Sequence, residues 1–308
     1  PPANPPENRE QMAEIMFETF GVKQLHIAVQ GVLALAASWS SKKAQKLGTA
    51  GENTGMVIDS GDGVTHVIPI VDGYVINQAI RHIPLAGRDV TNLVLEKLRE
   101  RETGIPPEEA LTVAQRVKEQ HCYIAQDIAK EFKTYDSDLP SYISQHTEVS
   151  KKTGKPYTFD VGYEKFVGPE IFFHPDIFSS EFTTPLPEVV DTAILSCPID
   201  TRKALYKNIV LSGGTTMFPK FDKRLQKDLR LLVDARIERI RAGLIDKTRN
   251  IEIDVNVVSH KRQRYAVWYG GSVVGSSPAY AEMAHTKQQY DEVGPNICRQ
   301  NAMFRSVF

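Results

Sequence analysis

The run VIDSGDGVTHVIPI, residues 57–70, constrains the fold more than any other part of the chain. Two β-branched segments flank an acid-and-glycine core of Asp59, Gly61, Asp62 and Gly63. Segments of this kind are strands, and the glycines between them are a turn. A hairpin accounts for the glycines. It does not account for an aspartate closing the first strand or for His66 inside the second. Glycines also let backbone N–H groups converge on an anion. An aspartate at a strand end can hold a hydrated magnesium ion that bridges phosphates. On this motif alone a plain hairpin and a phosphate cradle stand level, because short glycine motifs are weak signals.

A second glycine turn follows in LSGGTTMFP, residues 211–219. A buried strand ends at Gly213-Gly214, and a helix is expected soon after Thr215. Strand–Gly–Gly–helix brings backbone close to a nucleotide, or it is only a tight connection. Lys118 and Glu119 fall on an expected helix and read as solvated surface charges. Gln30 lies in an apolar run, where an amide needs partners. It either bonds core backbone or faces a cleft and orients water. His66 carries the same two readings.

The remaining pattern is α/β. Asn4-Pro5-Pro6-Glu7 reads as a capping box, followed by a helix with Met12, Ile15, Met16 and Phe20 on one face. LHIAV, 25–29, reads as a short buried strand running into a helix at QGVLALAASW. Residues 40–55 lack an apolar period and read as a surface loop or hinge with solvated lysines. Strands are expected at 56–60, 63–70 and 74–80, with a turn at VDGY. From about 106, with Pro107 just inside the start, a helix places Leu111, Ala114, Val117 and His121 on one face. Residues 133–158 read as polar and irregular, and YTFDVG as a strand. A helix with Phe221, Leu225 and Leu229 along one face follows the second glycine turn. IEIDVNVVSH, 251–260, alternates strictly and reads as a strand. This order predicts mixed sheets with flanking helices, with no internal repeat at short period.

Bulk properties narrow the function. The 308 residues suggest about two domains. A net charge of -1 argues against a nucleic-acid or membrane-surface binder. Cys122, Cys197 and Cys298 match no zinc spacing, and so sparse a set suits a reducing, cytoplasmic compartment. The longest apolar run, 25–39, is interrupted by His26 and Gln30 and is shorter than the ~20 residues of a spanning helix, so no membrane insertion is expected. The chain opens PPANPPENRE, without an initiator Met or a signal peptide. This reads as processing, or as an upstream part missing from the sequence.

Taken together, ENREQMAEIMFETF, AVQGVLALAASW, VIDSGDGVTHVIPI, IPLAGRDVT, VKEQHCYIA, NIVLSGGTTMFPKF and RYAVWYGGSVV occur in the order and spacing of the actin family. The chain resembles that family from about residue 5 to its end. GPEIFFHP, ALYKNIV, the longer segment at 40–55 and the tail HTKQQYDEVGPNICR resemble its actin-related branch rather than conventional actin. The resemblance implies an actin-like ATPase fold of two lobes, built from duplicated ribonuclease-H-like mixed sheets with flanking helices. Residues 1–45 and 265–308 would be the remaining part of the small lobe. Residues 46–85 and 180–264 would form the large-lobe core, and 86–179 its outer subdomain.

The resemblance also implies the site. Asp59, Gly61, Asp62 and Gly63 would form the second phosphate loop, with Asp59 holding Mg2+ (or Ca2+) through water. Gln30 and His66 would position the attacking water. Gly213, Gly214, Thr215, Met217 and Phe218 would line the adenosine pocket of ATP or ADP, with Gly87, Lys118 and Glu119 near the ribose and base. Arg264 stands where actin has a lysine beside the adenine, so the charge is kept and its geometry altered. Orientation of water rather than strong base chemistry implies slow hydrolysis. Family members carry a first phosphate loop ahead of the segment that Pro1 opens, so this chain alone is expected to bind nucleotide weakly and to hydrolyse it negligibly.

The implied partners are actin-related protein 2 and the other subunits of a filament-branching complex, actin filaments, and nucleation-promoting factors. Ala36, Ala37, Trp39, Val273, Val274 and Ser277 would line a barbed-end groove. Trp39 is either ordinary packing or an anchor for a filament subunit. Two alternatives follow from the same resemblance. A self-polymerising actin is disfavoured by the departures at 40–55, 133–158 and 230–250. A sugar kinase or chaperone-type ATPase is disfavoured because no separate substrate domain or candidate base for a sugar hydroxyl is seen.

Overall fold

The computed structural model describes residues 4–243, 252–278 and 280–299. The N-terminal elements are α1 (Pro6–Glu14), β1 (Gln24–Leu25), α2 (Gln30–Ser38) and α3 (Lys42–Leu47). Then come β2 (Gly55–Ser60), β3 (Thr65–Val71), β4 (Tyr74–Val75), β5 (Arg81–Ile83), α4 (Gly87–Arg101) and α5 (Ala110–His121). An outer layer follows: α6 (Ile128–Ser137), α7 (Leu139–Tyr142), β6 (Ser144–Val149), β7 (Pro156–Val161) and α8 (Glu164–Glu170). The last part holds α9 (Leu186–Leu195), α10 (Ile199–Lys207), β8 (Ile209–Ser212), α11 (Phe221–Gly243), β9 (Val257–Val258), α12 (Ala266–Gly275), α13 (Tyr280–Met283), β10 (His285–Thr286) and α14 (Lys287–Val293).

A six-stranded mixed sheet organises the molecule, in the order β4-β3-β2-β8-β9 with β5 also on β3. β2 and β3 are antiparallel, while β2, β8 and β9 run parallel. Both faces are covered, so β2 reads as a continuous apolar run. Val57, Ile68, Ile70 and Val210 face α2, whereas Met56, Ile58, Val67 and Leu211 face the larger core with α4, α9 and α11. Residues two apart share a face. Asp59 and His66, directly paired across β2 and β3, therefore sit on the α2 side. α12 lies against α2 so closely that a Cβ on Gly270 would meet the Leu33 carbonyl group. No described helix is long and apolar enough to cross a membrane. The three cysteines are buried and unpaired.

Several local expectations are corrected. Asn4 does not cap α1: Pro5 precedes Pro6, is therefore held extended (φ -56°, ψ 146°), and occupies the cap position itself. The buried face of α1 is Arg9, Ala13 and Phe17, with Phe17 stacked 4.6 Å from Tyr290. Met12, Ile15 and Phe20 are exposed and Met16 is half-buried; a π turn at Ile15–Thr19 follows α1. The ladder at 25–29 covers only Gln24–Leu25, opposite β10. Within 40–55 the chain forms α3, capped by the Ser41 hydroxyl and closed by left-handed Gly48. Pro107 precedes α5 in a turn, and Leu111 is exposed while Ala110, Val113, Ala114 and Val117 face the core.

Residues 133–158 are mostly ordered, as the end of α6, then α7, β6 and the start of β7. The strand expected over 74–80 is confined to β4, followed by a 3-10 turn and β5. Of the strand expected at 251–260, the described residues form only Val257–Val258, paired with Ile209 and Val210 of β8. Residue 251, and 244–250 within the departure noted at 230–250, lie outside the described residues. So do the ends of the two terminal segments assigned to the small lobe, 1–3 and 300–308.

Candidate functional site

The two glycine turns meet at the carboxyl ends of the parallel strands β2 and β8. Asp59 lies in register with Ser212, so the next residues of each strand are neighbours. Gly213 has φ 91° and ψ 155°, a conformation restricted to glycine. A Cβ there would lie 2.6 Å from the Ser60 carbonyl carbon and nearer still to its oxygen. This close approach is what the second glycine motif is for. The Gly213 N–H donates to the Gln263 carbonyl at 2.9 Å. A single 3-10 turn, Gly214–Met217, follows the glycines, and the helix expected soon after Thr215 is α11, beginning at Phe221.

The first turn is fastened by its carbonyl groups. The Gly61 carbonyl accepts from the Gly87 N–H at 3.0 Å and from the Thr215 hydroxyl at 2.6 Å. The Asp62 carbonyl accepts from the Arg88 N–H at 2.8 Å. The amino end of α4 is thus capped by the turn, together with the Asp89 carboxylate, which accepts from the Ala86 N–H at 2.8 Å. Gly87 must be glycine, since its Cβ would lie 2.6 Å from the Thr215 hydroxyl and 3.2 Å from the Gly61 oxygen. With the carbonyls committed on one side, the N–H groups of Asp62 and Gly63 take no acceptor among the described residues and remain available. This is the geometry of an anion nest.

Lys118 is buried, against the expectation of a solvated charge. Its ammonium donates to the Gly87 carbonyl at 2.9 Å. Burial holds its pKa below the usual lysine value, opposed by the nearby Asp62 and Glu119 carboxylates. Glu119 is exposed and accepts from Gln115. Gln30 is exposed at the first turn of α2, so its amide is not a core group. The adjacent Gly31 packs on Ile68, which places Gln30 over the face of β3 that carries His66. His66 is half-buried, and burial lowers its pKa, reinforced by His82 and opposed by Asp59. It is therefore neutral at neutral pH. Thr215 is buried, Phe218 is half-buried, and Met217, Gly214 and Arg264 are exposed along the mouth of the second turn. The Arg264 side chain passes Gly214.

The Actin family model matches residues 1–303. The chain belongs to the actin family. It is 59 % identical over 307 residues to "Actin-related protein 3" of Acanthamoeba castellanii, covering 100 % of this chain and 71 % of that protein. Identity to the proteins of the same name is 57 % in Dictyostelium discoideum and 54 % in Drosophila melanogaster, again over the whole of this chain and 72 % of each relative. The mixed sheet with both faces covered by helices is the α/β arrangement of an actin-family fold.

In this actin-family chain the groove candidates divide. Ala36 and Ala37 are buried inside the molecule, because α2 packs between the sheet and α12 on that side, so they offer no surface to a partner. Trp39 is half-buried and its indole N–H donates to the Glu52 carbonyl at 3.0 Å. Val273, Val274 and Ser277 are also half-buried. Four contributors to the site escaped the sequence. His82 Nδ1 lies 3.0 Å from His66 Nε2. Arg88 pairs with Asp62 at 3.4 Å. Thr65 bonds both Ser60 and the Leu85 carbonyl. Gln263 donates to Thr216 and braces the second turn. Only Arg88 had a signal, its place directly after a glycine that opens a helix.

Proposed function

We propose that the crevice between the two glycine turns holds ATP or ADP with a divalent cation. The N–H groups of Asp62 and Gly63 face the phosphates, and Gly61 lets the turn approach them. Gly213, Gly214, Thr215, Met217 and Phe218 line the adenosine, with Gly87, Lys118, Glu119 and Arg264 around the ribose and base. Among the described residues no three His, Cys, Asp or Glu side chains gather as a direct metal site. The lone Asp59 carboxylate therefore fits a cation that keeps its water and takes its other ligands from phosphate oxygens. Such a cation would neutralise phosphate charge. Neutral His66, with Gln30, orients a water by hydrogen bonds and is too weakly basic to do more, so any hydrolysis is slow.

The protein works as the actin-related protein 3 subunit of a complex with actin-related protein 2 and further subunits. That complex nucleates branched filaments in the actin cytoskeleton in response to nucleation-promoting factors. One observation carries this reading: both glycine turns converge on one crevice in a chain whose matched relatives, at 54–59 % identity, share one name. A pyrene–actin polymerisation assay on the assembled complex tests it. Trp39→Ala should slow nucleation while thermal unfolding stays cooperative. Unchanged nucleation with an intact fold would refute the role of Trp39, and a complex that does not accelerate polymerisation at all would refute the assignment.

A further inference from the structure

The chain carries 37 Lys and Arg against 38 Asp and Glu, so a locally unbalanced surface is a property of the fold and not of composition. One such surface lies where α3 meets α11, away from the turn at Asp59–Gly63. A cavity of about 300 Å³ is lined there by Lys43, Asp222, Lys223, Gln226, Lys227 and Arg230. No apolar or aromatic side chain lines it.

The lining is a set of donors. Lys43 Nζ and the Val257 N–H both donate to Gln226 Oε1, at 3.4 and 3.0 Å. The amide is thereby oriented, and its NH2 group takes no acceptor among the described residues. Among the described residues, the lysine–carboxylate pairs are those of Lys97 and Lys287; Lys43, Lys223 and Lys227 have none. Lys227 rests on the Gln126 carbonyl, and Arg230 reaches Asp234 at 3.6 Å with both groups largely exposed. Asp222, the one carboxylate of the lining, accepts from the Ser259 hydroxyl.

We propose that this cavity binds a compact polyphosphorylated anion, of the inositol polyphosphate class, either free in solution or as the headgroup of a lipid. Lys223 and Arg230 stand two helical turns apart, about 10 Å along the axis, with Lys43 facing them from α3. One phosphate cannot reach all three, whereas several phosphates on a small ring can. A single-stranded nucleic acid needs aromatic platforms, and a hydrophobic peptide needs apolar pockets; the lining supplies neither.

Calorimetric titration of the purified protein with inositol hexakisphosphate and with inorganic phosphate, at physiological ionic strength, is the test. The hexakisphosphate should bind far more tightly and weaken steeply with added salt. The double variant Lys43→Glu with Lys223→Glu should lose about tenfold or more in affinity. Lys97→Glu, distant and already paired, should lose little. Hexakisphosphate binding no tighter than phosphate, or an equal loss in the Lys97 variant, overturns the proposal. The salt dependence of the unmodified protein decides the matter if the double variant unfolds: a flat dependence is refutation. Flotation with vesicles containing phosphatidylinositol bisphosphate then separates the sources. Co-flotation assigns the lipid headgroup, and its absence alongside soluble binding assigns the free polyphosphate.

Discussion

Gly213 joins the two halves of the proposed crevice, and replacing it by alanine exposes how much of the site depends on one missing methyl group. The backbone there has φ 91° and ψ 155°. A non-glycine residue held in this region costs about 1–3 kcal/mol. The new Cβ would also lie 2.6 Å from the carbonyl carbon of Ser60, with the oxygen closer. Carbon atoms pack best at about 3.5–4.0 Å, so the end of β2 must move by roughly 1 Å or more, at a further cost of about 1–3 kcal/mol. Ser60 cannot yield freely, because its hydroxyl is tied to Thr65 and through it to the Leu85 carbonyl. The expected loss is therefore about 2–6 kcal/mol, a large share of the ~5–15 kcal/mol that holds an ordinary domain. Gly61→Ala is the matched control. Its Cβ would meet nothing within 4 Å and its φ is not positive, so stability should change by less than about 1 kcal/mol. The added methyl would nevertheless crowd the anion nest and weaken nucleotide binding. Urea unfolding gives the stabilities, and calorimetric titration with ATP gives the affinities. A Gly213→Ala protein within about 1 kcal/mol of the parent would refute the close-approach argument. A Gly61→Ala protein with unaltered ATP affinity would refute the cradle.

Arg224→Met should destabilise by about 3–5 kcal/mol, since Arg224 contacts the fully buried Glu170 at 3.3 Å and also bonds Asp228 and the Ala125 carbonyl. Adding Glu170→Gln should recover part of the loss in urea titrations. His260 has no hydrogen-bond partner on either ring nitrogen among the described residues, and burial lowers its pKa to about 4. The unfolded chain binds this proton first, so stability should fall as pH drops from about 6.5 to about 4, by roughly 1 kcal/mol after allowance for partial exposure. His260→Leu should remove that contribution, measured as urea midpoints at both ends of the window. Lys118→Met should cost only about 0.5–1.5 kcal/mol, since the Gly87 carbonyl loses one hydrogen bond but keeps the Thr91 hydroxyl at 3.0 Å, and should weaken nucleotide binding, read in the same titrations.

What could be read from the sequence divides along a physical line. Features that depend on one residue's own backbone freedom or on local periodicity were legible: β2, the glycine turns, α2, and the Phe221–Leu225–Leu229 face of α11. Features that depend on a partner distant in the chain were not. YTFDVG was legible as the strand β7, but its partner β6 read as irregular because that strand is polar. Its ladder includes Thr147 bonded to Thr158 at 2.9 Å, and its buried groups, His146 and Glu148, satisfy each other at 3.0 Å. Tyr157, Phe159 and Val161 alternate along β7, whereas nothing apolar alternates in β6, so the period-two signal is absent there although the strand is real. α3 hides for the same reason, burying only Ala44; its capping Ser41 and closing Gly48 were the usable signs. Lys118 shows the limit from the other side. A lysine on a helix reads as solvated until the chain brings Gly87, 31 residues earlier, to within 2.9 Å of its ammonium group. The same Gly87 holds the Gly61 carbonyl at 3.0 Å. One glycine therefore couples a buried charge on α5 to the orientation of the phosphate turn, and a change at Lys118 should be felt at Gly61 without any contact between them.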